Sequence, residues 1–198
     1  YGGFLLMANL LQEICKNLQG LIIGRKFSSG QMGLYTQAYK LESVASVSLS
    51  NIIVQVMFPV FSQLQNDIEK LNTVLDKNIR YITFCIFPLI TLLIIVANPL
   101  ILFLYGENWI DCVPYFQVLC VGGLFACLQN VNYYVIAALG HSRTLFFWSI
   151  YKWSFLVISL FIGAEWGIYG ILWGIVISNI NIYVVNVVLV KKYSGYKI

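Results

Sequence analysis

IYGILWGIVISNINIYVVNVVLV, residues 168–190, runs for 23 positions without one acidic or basic side chain. Wound as an α-helix at about 1.5 Å per residue, such a stretch is long enough to cross a hydrocarbon layer about 30 Å thick. Working outward, five further stretches are long and mostly apolar, four of them with one or two charged side chains: 4–23, 33–61, 78–96, 113–139 and 144–162. A short apolar extension, Pro99–Leu104, follows the third. The chain has 198 residues, 60% hydrophobic and 10% charged, with a mean hydropathy of +0.81. A water-soluble domain has too little interior to hide that much apolar surface. The fold class expected is therefore an all-α integral membrane protein with six transmembrane helices, residues 1–198 forming a single lobe. The formal net charge of +4 gives no support to a nucleic-acid partner.

The segments between the apolar stretches fit this division. Ser28, Ser29 and Gly30 make a turn composition after the first. Asn66–Asp76 is charged and amphipathic and is expected to lie along the membrane interface ahead of the third. Tyr105–Asp111, Gly140–Arg143 and Gly163–Gly167 are polar connections. Tyr105, Trp109, Trp166 and Tyr193 stand at span ends, where amphipathic rings favour the headgroup level. Kinks are expected at Pro59 and Pro88. Gly20/Gly24 and Gly170/Gly174, at four-residue spacing, suit close helix crossings. The five cysteines show no metal spacing, and four fall in or beside apolar stretches, which suits packing. Tyr1–Leu5 spells an opioid peptide, but no dibasic processing site follows, and the first apolar stretch simply continues. Without a basic n-region or a small-residue cleavage site it does not read as a signal peptide. The chain is expected to be a fragment of a longer one.

With six spans, the N-terminus, the 66–77 and 140–143 connections and the C-terminal tail share one side. Seven of the twelve Lys and Arg residues belong there: Lys70, Lys77, Arg80, Arg143, Lys191, Lys192 and Lys197. The opposite side has Arg25 and Lys26, along with Glu107, Asp111 and Glu165. The positive-inside rule places both ends in the cytoplasm. The remaining cations, Lys16, Lys40 and Lys152, fall within spans. Asn9, Gln12, Glu13, Lys16 and Asn17 form one polar stripe on the first helix. Gln37, Lys40, Ser48, Asn51 and Gln55 lie close to one face of the second, and Gln129, Asn130, Asn132, Asn179, Asn181 and Asn186 occupy later spans. Two readings stand side by side. The amides hydrogen-bond helix to helix, or the polar faces border a hydrated cavity. Against Glu13 and Glu42, the three lysines make such a cavity net positive, which suits an anionic ligand such as a diphosphate headgroup.

Several short motifs, in order, resemble a known family. They are Leu21-Ile22-Ile23-Gly24-Arg25-Lys26-Phe27-Ser28, Gly33-Leu34-Tyr35 and Ala38-Tyr39-Lys40-Leu41, then Phe58-Pro59-Val60-Phe61-Ser62 with Gln65-Asn66-Asp67. Phe87-Pro88, Pro99-Leu100-Ile101, Gly106-Glu107-Asn108-Trp109 and Gly167-Ile168-Tyr169-Gly170 continue the series. Together they resemble the second lobe of Wzx-type oligosaccharide flippases, in the polysaccharide transporter branch of the MATE-like multidrug/oligosaccharidyl-lipid/polysaccharide (MOP) exporter superfamily. The resemblance implies two six-helix lobes around a central cavity, this chain supplying the second and the N-terminal lobe lying upstream. It implies movement of undecaprenyl-diphosphate-linked oligosaccharide across a bacterial inner membrane by rocking of the lobes, with membrane lipid around them. It also implies a coupling ion, H+ or Na+, although Gln19 stands where some relatives have an acid. The candidate substrate residues are Lys16, Lys40 and Lys152 for the anionic group, Asn51, Gln55 and Asn130 for sugar hydroxyls, and Glu13 beside Lys16. No catalytic residue, metal or cofactor is expected. A drug:cation antiporter of the same superfamily is the alternative, and it needs intramembrane carboxylates, for which only Glu13 and Glu42 qualify. A membrane-embedded glycosyl transferase needs an acid/base cluster. The single histidine, His141, sits in a hinge without such neighbours.

Overall fold

Hydrocarbon offers a backbone amide no partner, so a chain this apolar closes its hydrogen bonds within helices. The computed structural model describes residues 2–195, with side chains throughout except at positions 2–5, 8, 9, 12, 16–19, 47, 49, 53 and 142. Among the described residues there is no strand, and eight α-helices follow one another. They are α1 (Gly2–Lys26), α2 (Ser29–Ser43), α3 (Leu49–Gln63), α4 (Ile68–Ile95), α5 (Ala97–Tyr105), α6 (Val113–Ala138), α7 (Ser142–Gly163) and α8 (Gly167–Ser194). A π-helical turn, Val44–Ser48, joins α2 to α3 without a break.

Four described helical stretches are long and apolar enough to cross a membrane: Ser29–Gln63, Ile68–Ile95, Glu107–Ala138 and Arg143–Ser194. The last, of 52 residues, doubles back on itself. A 3-10 turn, Ala164–Trp166, leads into Gly167, whose φ of +79° is left-handed backbone that only glycine adopts freely. The two legs, α7 and α8, then pack along each other. These legs are the apolar stretches 144–162 and 168–190, and α1 covers the stretch 4–23.

One connection differs from its sequence reading. Residues 68–76 are no separate interfacial segment; they form the opening turns of α4. The reason is periodic burial. Leu71, Leu75, Asn78, Ile82, Ile86 and Ile90 all fall on one inner face, so a single apolar stripe continues from end to end. Asp67 Oδ1 caps the helix, accepting from the Lys70 amide at 3.1 Å. Within the polar connection Tyr105–Asp111, Gly106 (φ +83°) leads into a 3-10 turn that spans Glu107–Cys112. Pro59 and Pro88 sit inside the uninterrupted helices α3 and α4.

α6 is the central helix, packed by α8, α4, α2 and α3, while α7 lies between α8 and α1. Side-chain ties gather the connections at two ends. At one end Lys26 Nζ meets Glu165 Oε1 at 2.6 Å, Cys112 Sγ donates to Leu34 O at 3.3 Å, and the rings of Tyr115 and Tyr169 meet edge-on at 5.4 Å. At the other, Asn72 Nδ2 donates to Ser194 O at 2.8 Å, and Thr144 Oγ1 lies 2.9 Å from the Tyr193 hydroxyl. The close crossing expected at Gly170/Gly174 is present: Gly170 presses on Gly163, and Gly174 on Ser159. At Gly20 and Gly24 no described atom lies within 4 Å of where a Cβ would stand.

Candidate functional site

The run 29–63 buries one side against α6 and leaves the other uncovered. Tyr35, Ala38 and Glu42 face inward, and Ser46, Ser50 and Val54 continue that row. Lys40, Val44, Ser48, Asn51, Gln55 and Pro59 are exposed, at the three- and four-residue steps that define one helical face. The structure thus brings Lys40, Asn51 and Gln55 onto a single exposed stripe. Asn130, on α6, stands beside it, its Nδ2 donating to Ser50 Oγ at 3.1 Å.

The other candidates lie elsewhere. Lys152 is half-buried on α7, with Nζ 5.3 Å from the Trp148 ring centre and 5.4 Å from that of Trp153. Aromatic faces of this kind attract a cation. α7, which carries Lys152, packs mainly on α8 and α1, while α2–α3, which carry Lys40, pack mainly on α6. Glu13 is exposed on α1, and the Lys16 side chain lies outside the described residues. Glu42, counted from the sequence among the acids of a common cavity, turns away from the Lys40 stripe and is buried.

A cleft of about 520 Å³ opens at the end that holds Lys26 and Glu165, and Gln31, Asn98, Asp111, Tyr115 and Tyr169 supply its polar wall. A smaller hollow of about 300 Å³ lies between α1 and α7, against Leu11, Cys15 and Trp153. Neither is lined by Lys40, Asn51, Gln55, Asn130 or Lys152. Among the described residues no group of three His, Cys, Asp or Glu side chains is placed to hold a metal ion.

Several amides act as interhelical ties instead. Gln129 Nε2 reaches Asn179 Oδ1 at 3.4 Å, Asn179 Nδ2 reaches Gly122 O at 3.3 Å, and Asn186 Nδ2 reaches Gln129 O at 3.1 Å, which stitches α6 to α8. Between helices in hydrocarbon such bonds hold because the alternative is an unpaired polar group. Sequence reasoning missed a second polar contact, between α2, the π-turn and α6. Glu42 Oε1 is hydrogen-bonded to Ser46 Oγ, the Cys127 thiol donates to Ser46 O at 3.3 Å, and Gly123 leaves the space the carboxyl occupies. An acid inside an apolar stretch and the paired glycines Gly122-Gly123 were its visible signals.

A family model described as polysaccharide biosynthesis protein matches residues 1–114. The chain is also similar to curated proteins. The lipopolysaccharide biosynthesis protein WzxC of Escherichia coli (strain K12) is 27% identical over 197 residues, covering 98% of this chain and 40% of WzxC. The teichuronic acid biosynthesis protein TuaB of Bacillus subtilis (strain 168) is 26% identical over 84% of this chain and 35% of its own length. The succinoglycan biosynthesis transport protein ExoT of Rhizobium meliloti (strain 1021) is 25% identical over 67% of this chain and 27% of its own length. The chain therefore spans at most 40% of these relatives. No solved structure matches it.

Proposed function

This chain belongs to the polysaccharide biosynthesis protein family, and from that premise we propose that it moves an undecaprenyl-diphosphate-linked oligosaccharide from the cytoplasmic to the periplasmic leaflet of a bacterial inner membrane. The observation that carries this reading is the uncovered stripe on α2–α3. A helix long enough to cross a membrane presents Lys40, Asn51 and Gln55 on a face left exposed among the described residues. A cation at mid-bilayer costs roughly 3 kcal/mol on insertion scales, so such a face belongs against water, a polar partner or an anionic ligand rather than lipid tails.

In this proposal α1, the run 29–63, α4, α6, α7 and α8 each cross once, giving a six-helix lobe with both ends in the cytoplasm. The stripe forms one wall of a hydrated chamber, and an N-terminal lobe of the same longer chain forms the other. Lys40, with Lys16 and Lys152, attracts the diphosphate. Asn51, Gln55 and Asn130 hydrogen-bond sugar hydroxyls, and Glu13 partners Lys16. The lipid tail stays in the bilayer throughout. The protein carries its substrate across without bond chemistry, so its role is transport and not catalysis. The relatives' names, which tie them to lipopolysaccharide, teichuronic acid and succinoglycan biosynthesis, support the substrate class.

Replacing Lys40, Asn51 and Gln55 together by alanine in the full-length protein is expected to cut surface polysaccharide at least ten-fold. Lipid-linked repeat units should then accumulate on the inner leaflet, at an unchanged protein level in the membrane. Normal surface polysaccharide from the triple variant overturns the assignment.

A further inference from the structure

Glu42 is the only acidic or basic side chain that is buried among the described residues, at 6% exposure. It lies inside the run 29–63, in a segment that crosses the membrane in the proposed function. Removing an ionised carboxylate from water is costly unless a cation or several donors replace the lost hydration. Among the described residues the surroundings supply neither. On its own helix the titratable group facing it is the Tyr39 phenol; on α6 they are the thiols of Cys120 and Cys127. The other elements that touch α2 and the π-turn are α1, α3, α4 and the 3-10 turn Glu107–Cys112, which carries Glu107 and Asp111, and none of them brings a described charge to bear on the Glu42 carboxyl. Lys40, two positions back, points to the exposed stripe.

Hydrogen bookkeeping sharpens the point. The Ser46 hydroxyl contacts both the Glu42 side-chain Oε1 and, at 3.2 Å, the Glu42 backbone carbonyl. That hydroxyl has one hydrogen, and a carbonyl oxygen can only accept. With an ionised carboxylate, two acceptors compete for one hydrogen. With a neutral carboxylic acid, the Glu42 O–H donates to Ser46 Oγ, the Ser46 O–H donates to the Glu42 carbonyl, and both contacts are satisfied. The fold is shaped around this pair. The π-turn Val44–Ser48 begins two residues after Glu42 and carries Ser46, and such single π-turns inside an α-helix are rare and frequent at functional sites. A Cβ at Gly123 would collide with Glu42 Oε1 and stand 3.1 Å from Ser46 Cβ.

We propose that Glu42 is an intramembrane proton-binding site, holding its proton at neutral pH in the contact between α2, the π-turn and α6. Loss of the proton leaves a bare charge against Gly123 and a Ser46 hydroxyl with too few hydrogens. The deprotonated state therefore requires α2 to part from α6 and admit water. Because Lys40, Asn51 and Gln55 ride on the same helical run, proton occupancy of Glu42 governs the position of the substrate-facing stripe. That last step rests on the flipping proposal; the proton site does not.

The test uses the protein reconstituted in liposomes and treated with dicyclohexylcarbodiimide. A protonated carboxyl in an apolar setting adds its O–H across the reagent's C=N bond, then rearranges to a stable N-acylurea seen by peptide mass spectrometry. At pH 7, Glu42 is expected to react at least ten-fold faster than the exposed Glu69 and Glu107, with a rate that falls as pH rises. Infrared difference spectra should show a protonated-carboxyl band at pH 7 that disappears in Glu42→Gln, a variant that keeps the neutral hydrogen bonds and the fold. Labelling of Glu42 no faster than of Glu69, absence of the band, or protection by sodium relative to choline overturns the proposal. None of these readouts needs a lipid-linked substrate. A protein that labels but does not flip sinks the transport reading alone, and one that flips without labelling sinks this one alone.

Discussion

At the contact between α7 and α8 a single hydrogen atom in place of a side chain decides whether two helices can meet. A Cβ built on Gly163 would stand 2.7 Å from the Gly170 carbonyl carbon and 3.1 Å from the Ile171 nitrogen. Both are backbone atoms and cannot rotate aside. Gly163→Ala is therefore expected to force α7 from α8 and cost roughly 1–3 kcal/mol, the usual range for overpacking a tight contact. Thermal unfolding followed by tryptophan fluorescence should register this as a drop of several degrees. Gly20→Ala, with no described atom within 4 Å, should leave the midpoint unchanged or slightly raised. Equal midpoints for both variants would mean that the hairpin does not depend on this approach. The sequence showed Gly170 and Gly174 as a pair on one helix, but it could not show that Gly163 faces them, because that register is set by the turn through Gly167. Lys40, Asn51 and Gln55 were legible as one face from spacing alone. Glu42 was not, since inward and outward acids look alike until α6 is in place.

Among the elements, α4 is the one whose start was misread, and its first turn has its own electrostatics. Asp67 accepts the Lys70 amide and pairs with the Lys70 ammonium at 2.7 Å. The side-chain bond from Lys70, more than any other cause, holds the Asp67 carboxyl below the usual range, which lies near pH 4. A carboxyl depressed in the folded state supports the fold fully above that ordinary value, and its support is lost as pH falls through its lower folded one. Asp67→Ala is thus expected to speed hydrogen exchange at residues 68–71 several-fold at pH 6 and to match the parent protein at pH 2. A difference that persists at pH 2 would assign the effect to something other than the ionised cap. Apolar length made the helices themselves readable, because a membrane rewards unbroken apolar stretches. The amphipathic start of α4 misled because its charges were given more weight than the four-residue step from Leu71 through Ile90. The π-turn left no mark, since Val44–Ser48 is ordinary helical sequence.

For the whole molecule, the two ends of the bundle differ in charge. Lys70, Arg143, Lys191 and Lys192 cluster at the end where Asn72 meets Ser194. Arg25 and Lys26 share the opposite end with Glu107, Asp111 and Glu165, and Lys26 is neutralised by Glu165 at 2.6 Å. Retention of Lys and Arg on the cytoplasmic side acts on the chain during insertion, and the packed bundle then preserves the outcome. Ties such as Asn72 to Ser194 and Thr144 to Tyr193 also require residues far apart in the chain to emerge on one side. Orientation can therefore be tested at three exposed positions in a cysteine-free background: Glu165→Cys, Glu69→Cys and Lys192→Cys. In intact cells a membrane-impermeant maleimide should label position 165, while 69 and 192 react only after the membrane is opened. Reversal of all three would invert the orientation and, with it, the direction of transport proposed here. Positions 69 and 192 reacting on opposite sides would be the graver result. The contact between the start of α4 and the end of α8 cannot exist across a membrane, and the crossing pattern proposed here would fall with it.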